Sequence, residues 1–563
     1  MNAKSDTTLS TGAHRIWEAL LALGVDTVFG YPGGAIMPAY DAMAEYPIHH
    51  VLTRHEQGAS HMADGYARVT GKLGVAIATS GPGATNLVTG LATAMLDSVP
   101  VLCITGQVPS QVLGTNAFQE VDVVAITKPV TKFNRLVTRP EDIGPALLEA
   151  ARIAQTGRPG PVLVDITKDA QQGFAPDLPK AIPKPTRNVA PVASTLIQEA
   201  AALLTHAHKP LLMAGHGVMM AGACDELLTL AEQLDVPVAH TLLGLGGFPT
   251  HHPLYLGMAG MHGHAWVNDA IQNADVLVAV GMRFDDRVTG NVDDFAKNAK
   301  IVHIELDPSE IGKIIQPDVA LNGDAKTILQ QLVDATEVKT HPEWCRQVSN
   351  WKDAVTERDI VERAEPTNLN APRVLDLLSE LTQGNATIVT DVGQHQMWEA
   401  QYVRHNRPGS LVTSGGLGTM GFALPAAIGA KFGQPDHEVW VVAGDGGFQM
   451  TACELSTCAQ EGINLNVLIV NNGYLGMVRQ WQEFFYGKRY IETPIGSPDF
   501  ASLARCHGLP GLTVHHWSEV RAALEFARST PGTCVVDIRV EPEDSVFPMV
   551  APGKDLSQMM TRT

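Results

Sequence analysis

The stretch VVAGDGGFQM, residues 441–450, reads as a strand that runs straight into a tight turn and then a helix. Val439-Trp440-Val441-Val442 are strand formers, and Gly444-Asp445-Gly446 follows at once. Such turns offer backbone N–H groups to an anion. This one also offers a carboxylate and has no Walker lysine nearby, so a phosphate beside Asp445 needs a divalent cation between them. Mg2+ seeks near-octahedral oxygen ligands, with one or two from protein and others from phosphate. The next strand, LNVLIVNN (465–472), closes on Asn471-Asn472 and supplies a second oxygen ligand. Taken separately, an ordinary turn and an ordinary helix cap would account for each motif. Their pairing at successive strand ends favours a diphosphate–Mg2+ site.

Working outward, short Val/Ile-rich runs alternate with longer helical stretches, which predicts an α/β protein with mostly parallel sheets flanked by helices. The block around 441–450 has a counterpart near the N-terminus. VAIATSGPGATNLVTGLATA (75–94) and VWVVAGDGGFQMTACELSTC (439–458) both run strand, Gly-x-Gly turn, helix. RPGPVLVDI (158–166) and TPGTCVVDI (530–538) then repeat in the same order. Two ordered matches predict a duplicated domain on either side of a middle one. The expected limits are 10–175, 192–345 and 370–545, with a tail at 546–563. Proline-rich FAPDLPKAIPKPTRNVAPVAS (174–194) separates the first two. A polar stretch near 340–371, whose middle could still be helical, separates the last two. The middle block carries its own turn, LLMAGHGVMMAG (211–222), and the strand ends of ADVLVAVGMRFDDR (274–287) and AKIVHIELD (299–307). Ligands bind beyond such strand ends in open parallel sheets.

Bulk numbers narrow the function class. The 563 residues carry 40 basic and 59 acidic side chains, a formal charge of −19, which disfavours nucleic acid or an acidic membrane as partner. Seven scattered cysteines form no C-x-x-C or Cys/His cluster, so neither a disulfide framework nor a zinc site is expected. The polar start lacks a signal-peptide core and no apolar run reaches membrane-span length, which predicts a soluble cytoplasmic protein.

GDG followed by NN at this spacing resembles the diphosphate–Mg2+ motif of thiamine diphosphate (ThDP) enzymes. That resemblance implies a catalytic glutamate near a strand end of the related domain. HHVLTRHEQGASHMADGYARVTG (49–71) places Glu56 there, at the start of a helix, where an acidic residue could otherwise serve only as a helix-terminal charge. In the family this glutamate hydrogen-bonds the aminopyrimidine ring, and the ring's exocyclic nitrogen then takes the thiazolium C2 proton. Met420 matches the large apolar residue that bends the coenzyme. It lies in SGGLGTMGFALPAAIGA (414–430), whose G-x-G-x-x-G is not a nicotinamide site, because the nearest acid, Glu438, precedes the next strand instead of ending it.

Within those enzymes the chain resembles the acetolactate synthase (acetohydroxyacid synthase) large catalytic subunits, over about 12 to 553. The likeness rests on FGYPGGAIMPAYDA (29–42), TSGPGATNLVTGLA (79–92), ITGQVPSQVLGTNAFQEVD (104–122), GRPGPVLVDITKD (157–169), GMRFDDRVTG (281–290), DVGQHQMW (391–398) and LGMVRQWQ (475–482). The segment after Trp481 looks most like the bacterial isozyme II type. The resemblance implies decarboxylating condensation of pyruvate with a second pyruvate or with 2-oxobutyrate. It implies catalytic roles for Glu56, Gln119, Lys168, Arg287 and Trp481, with Arg287 for the second substrate's carboxylate and Trp481 shaping the acceptor pocket. Gly34 and Phe118 join Gln119 and Lys168 on the thiazolium side. Gln394, His395, Met397, Gly418, Met420, Gly444, Asp445, Gly446, Gly447, Asn472 and Tyr474 are implied around ThDP, with Asp445, Asn472 and Tyr474 holding Mg2+. FAD, a structural relic in the family, is implied beside Arg158, Gly215, Gly217, Thr241, Leu242, Met261, His262, Gly263, Gly281, Arg283, Asp285, Arg287, Glu305 and Asp324. Two departures from the family pattern are His216, in place of a glycine, and Glu305, where aspartate is more common. The RFDDR sequence favours a flavoprotein, since flavin-free acetolactate synthases lack it. Homodimers or tetramers with active sites shared between chains are expected, along with a small regulatory subunit. The nearest alternative is a ThDP/FAD oxidoreductase of the pyruvate oxidase kind.

Overall fold

The computed structural model describes residues 10–178, 191–356, 359–363 and 369–562. Three parallel sheets of six strands follow one another along the chain. The first holds β1 (Thr27–Gly30), β2 (His49–Leu52), β3 (Gly74–Ala78), β4 (Val101–Gln107), β5 (Phe133–Val137) and β6 (Val162–Thr167). The second holds β7 (Pro210–Ala214), β8 (Val238–His240), β9 (Tyr255–Met258), β10 (Val276–Val280), β11 (Lys300–Glu305) and β12 (Val319–Asn322). The third holds β13 (Thr387–Thr390), β14 (Leu411–Thr413), β15 (Val439–Gly444), β16 (Asn466–Asn471), β17 (Gly511–Val514) and β18 (Cys534–Arg539). Central strands such as GVAIA, VLVAV and VLVDIT are buried throughout, as parallel strands covered by helices on both faces must be.

The first sheet is ordered β2-β1-β3-β4-β6-β5 and the third β14-β13-β15-β16-β18-β17. Position by position these are the same winding, so the duplication read from two motif pairs extends to the whole topology. The middle sheet, β12-β11-β10-β7-β8-β9, is wound differently.

The two related halves meet through equivalent helices. Glu56–Thr70 follows β2, and Ala423–Gly433 follows β14. A Cβ added to Gly65 would lie 2.0 Å from the Ala426 carbonyl oxygen, and one added to Gly429 would lie 1.8 Å from that of Met62. Each helix thus offers a glycine to the other's backbone, and only hydrogen fits between them. Met62, Phe422 and Ile428 are buried around the crossing in one continuous core.

Of the proline-rich link at 174–194, residues 179–190 lie outside the described residues. In the second polar stretch a helix spans Pro342–Thr356. It continues past residue 345 and packs back on the middle sheet, with Trp344 Nε1 donating to the Pro210 carbonyl at 2.9 Å. The chain end carries a small antiparallel pair, Met549–Val550 with Met559–Met560, next to the middle sheet, where Val550 N donates to Met261 O. Among the described residues no helix is long and apolar enough to cross a membrane.

Candidate active site

Gly444 of β15 pairs with Val470 of β16, so the GDG turn and the Asn471-Asn472 end emerge side by side from one sheet edge. Asp445 opens the short helix Asp445–Thr451 and is 1% exposed. Burial pushes its pKa up, opposed by a hydrogen bond from Ser497 Oγ to Oδ2 at 2.7 Å. Among the described residues, the groups that act on it most strongly are Ser497, the local backbone and Asp537, none of them a cation. A buried carboxylate without a basic partner is costly, and a bound cation removes that cost.

The two asparagines divide the work. Asn471 turns inward, its Nδ2 donating to Asp537 Oδ1 at 2.9 Å while its Oδ1 accepts from Gly473 N. Asn472 faces the cavity, with Nδ2 donating to Gln394 Oε1 at 3.2 Å and Oδ1 accepting from Tyr474 N. Asp445 and Asn472 are hard oxygen donors that suit Mg2+. No cluster of three or more His, Cys, Asp or Glu that could hold a metal exists among the described residues, so a cation here would need oxygens from its ligand as well.

His395 sits between Gly393 and Gly444, and its Nε2 accepts the Gly444 N–H at 3.2 Å. Burial pushes its pKa down to about 3, so the ring is neutral and fixes the GDG turn without adding charge. Met420 is set by Asp391, whose carboxylate accepts from Val392 N, Gly421 N and Ala423 N. With no cation beside it, burial pushes the Asp391 pKa up to about 6.

These groups line one end of a cavity of about 1310 Å³. That end holds Gln394, His395, Met397, Gly418, Met420, Gly444 to Gly447, Asn472, Tyr474 and Trp481. The other end holds Arg158, Gly217, Thr241, Leu242, Met261, His262, Gly281, Arg283, Asp285, Arg287, Glu305 and Asp324. Two expected flavin residues do not line it. A Cβ on Gly215 would meet Gly281 O at 2.3 Å, and one on Gly263 would meet the Ala259 carbonyl carbon at 2.4 Å. Both glycines allow backbones to pack behind the wall. The wall there carries Arg158, Arg283 and Arg287 beside Asp285, Glu305 and Asp324, with Arg158 already paired to Asp307 and Glu310. His216, half-buried and with its pKa pushed down to about 4 by desolvation, adds a neutral ring to that wall.

A bridge holds the two ends together. Asp97 pairs with Arg68 at 2.8 Å and accepts from Gly415 N and Gly416 N, the loop that leads to Gly418 and Met420. Arg158 spans from the first sheet to the middle one, with Nε on Ser98 Oγ and NH1 on Asp307 and Glu310. Arg287 is largely exposed, its NH1 3.4 Å from Met261 Sδ. Trp481 stands edge-on to Phe485 at 5.5 Å.

The remaining site residues lie elsewhere. Glu56, Gly34, Phe118, Gln119 and Lys168 do not line this cavity. They follow strands of the first sheet: Gly34 after β1, Glu56 after β2, Phe118 and Gln119 after β4, and Lys168 after β6. Glu56 Oε2 accepts from Asn86 Nδ2 at 2.9 Å. Gln119 holds φ at 61°, a left-handed conformation that costs a non-glycine residue about 1–3 kcal/mol. Phe118 beside it is 88% exposed. The residues the resemblance implied therefore fall into two groups, one lining the cavity and one following strands of the first sheet.

Sequence reasoning passed over Asn86, Asp97, Asp391, Glu454 and Ser497. Asn86, Asp391 and Glu454 sit inside motifs quoted above; Asp391 follows its strand directly, whereas Asn86 closes the short helix Pro82–Thr85 and Glu454 the turn Ala452–Glu454.

Comparison with known proteins agrees along the chain. Profiles described as the thiamine pyrophosphate enzyme N-terminal TPP binding domain, central domain and C-terminal TPP binding domain match residues 10–126, 197–332 and 391–538. An acetolactate synthase of Arthrospira platensis is 47% identical over 98% of this chain and 97% of its own. The acetolactate synthase large subunit of Corynebacterium glutamicum is 48% identical over 98% and 90%. The acetolactate synthase isozyme 2 large subunit of Escherichia coli K12 is 43% identical over 98% and 99%.

Proposed function

Since the chain belongs to the thiamine pyrophosphate enzymes, and among them to the acetolactate synthase large-subunit family, we propose that it condenses pyruvate, with loss of CO2, onto a second pyruvate or 2-oxobutyrate. The products are 2-acetolactate and 2-aceto-2-hydroxybutyrate, precursors of the branched-chain amino acids. The observation that carries this reading is the convergence of Asp445 and Asn472 on one cavity wall with Met420.

When bound, ThDP supplies a nucleophilic carbon and an electron sink for decarboxylation. Asp445 and Asn472, with Tyr474 beside them, would hold Mg2+ next to the coenzyme's diphosphate. The buried, cation-free Asp445 carboxylate supports that role. Met420 would support the coenzyme's bend, and the Asp391 hydrogen bonds to Gly421 N and Ala423 N hold the Met420 segment in place. Glu56 would hydrogen-bond the pyrimidine ring of the bound coenzyme, with Asn86 steadying the carboxyl through Oε2. Arg287 receives the acceptor's carboxylate, and Trp481 bounds the space for its alkyl group. FAD fills the far end of the chamber as a structural group.

Two copies complete the site. Glu56 of one chain and Asp445 of the other face the same coenzyme, and the join excludes water. Support comes from the two separate groups of site residues in one chain and from the exposed apolar side chains beside them, Phe118 with one and Val478 and Ile491 with the other. A small regulatory subunit and a cytoplasmic location complete this reading.

The test is product analysis with pyruvate, with and without 2-oxobutyrate, under anaerobic conditions and with ThDP, Mg2+ and FAD omitted in turn. Glu56→Gln is expected to cut turnover by about 100-fold or more while ThDP still binds. Asp445→Ala is expected to lose Mg2+-dependent ThDP binding. Oxygen uptake coupled to turnover would point to an oxidase instead.

A further inference from the structure

Ten residues join two elements with different tasks. The helix Asp445–Thr451 begins with the metal-site aspartate, and the turn Ala452–Glu454 that continues it ends with a glutamate fully buried between the related halves. The Glu454 carboxylate reaches across to the other half. Oε1 accepts from Arg54 N at 3.0 Å and His55 N at 3.1 Å; Oε2 accepts from Arg54 N at 3.1 Å and Thr457 Oγ at 2.7 Å.

The two N–H groups so bound belong to the residues immediately before Glu56, which opens its helix. The fit is close, for a Cβ on Gly58 would lie 2.3 Å from Glu454 Oε1. Arg54 does not neutralise the carboxylate directly. Its guanidinium turns to Leu52 O, Ser456 O and Gln460 Oε1. Glu454 is therefore held by hydrogen bonds to the segment it fixes, which are strong when the acceptor is ionised and buried. Asn86 restrains the Glu56 side chain and Glu454 its backbone.

We propose that Glu454 is the positioning residue for Glu56, and that residues 445–454 thereby link the coenzyme a chain holds through its metal to the coenzyme it activates through Glu56. This rests on the roles given to Glu56 and Asp445 above. If Glu454 were only a clamp between halves, its loss would lower stability and leave the chemistry of the bound coenzyme untouched.

The experiment uses the full-length protein with wild type, Glu454→Ala, Glu454→Gln and Glu56→Gln. Amide exchange across residues 52–58 is read by mass spectrometry without cofactors. ThDP affinity and the hydrogen–deuterium exchange rate at the coenzyme's reactive carbon are read in the holoenzyme with Mg2+ and FAD. Glu454→Ala is expected to speed amide exchange at 52–58 and to slow carbon exchange by about 10- to 100-fold, with ThDP affinity within about threefold of wild type. Glu454→Gln, which keeps one acceptor oxygen, is expected to recover part of both. Carbon exchange within about twofold of wild type in both variants overturns the proposal. If Glu454→Ala does not fold, Glu454→Gln decides alone, a slowing beyond about threefold supporting the proposal and a smaller one overturning it. Unchanged carbon exchange in Glu56→Gln overturns the Glu56 reading itself. Loss in Glu56→Gln alone overturns only the part given to Glu454.

Discussion

Gly429→Ala tests how the two related halves set the site. The added Cβ would lie 1.8 Å from Met62 O, 2.6 Å from its carbonyl carbon and 2.8 Å from its Cα, all backbone atoms that cannot rotate away. Ordinary contact begins near 3.4 Å, so the helices must part by roughly 1.6 Å at the crossing. The reciprocal contact of Gly65 with Ala426 prevents a simple pivot. Overpacking of this kind costs about 1–3 kcal/mol, and two rigid backbones place this case near 3 kcal/mol. For a unit of this size that lowers Tm by roughly 6–12 °C. Glu56 starts one helix and Met420 stands three residues before the other, so the parting also moves both. A misplacement of about 1 Å can cost about 100-fold in turnover. Scanning calorimetry on the holoenzyme and steady-state acetolactate formation measure the two effects. A Tm within about 2 °C of wild type together with kcat/KM within about threefold would refute the reasoning.

Asp165 gives a pH test. Burial pushes its carboxyl from 3.8 up to about 7, against hydrogen bonds from Thr105 and Gln107. The folded state therefore keeps a proton that the unfolded chain has released above about pH 4. The stability it contributes is complete below that point and is lost as pH rises through about 7, up to ~4 kcal/mol in all. The Tm of wild type minus that of Asp165→Asn should fall between pH 5 and pH 8; a constant or rising difference would exclude the effect. At the acceptor pocket, Trp481→Leu should lower the ratio of 2-aceto-2-hydroxybutyrate to 2-acetolactate by about tenfold in mixed substrate, since a pocket wall discriminates a methylene by about 1–3 kcal/mol. An unchanged product ratio by chromatography would remove Trp481 from selectivity.

Most of the architecture was readable from local pattern. Buried strands such as VLVAV and the repeated Pro-Gly…Asp-Ile segments gave parallel sheets and a duplication because both signals are short-range. The GDG and NN motifs were legible because parallel neighbours β15 and β16 put their ends side by side. What escaped was long-range. Glu454 looks like any helical glutamate until the fold brings Arg54 N, 400 residues away, onto it. Asn471 and Asn472 read as one pair, yet the twist of the chain turns one to Asp537 and the other to the cavity. Gly215 and Gly263 were implied as wall residues by resemblance alone, and each instead packs against neighbouring backbone, Gly281 and Ala259 respectively.

The span from Asp445 to Glu454 also restricts how the gene can vary. Each residue of helix advances about 1.5 Å and rotates about 100°. One codon added or lost there would aim the metal-site acid and the clamp in unrelated directions, disabling two reaction centres with a single event. Loops at the far edge of the third sheet carry no such phase requirement. Length variation among descendants should collect at those loops and leave this decapeptide's register intact.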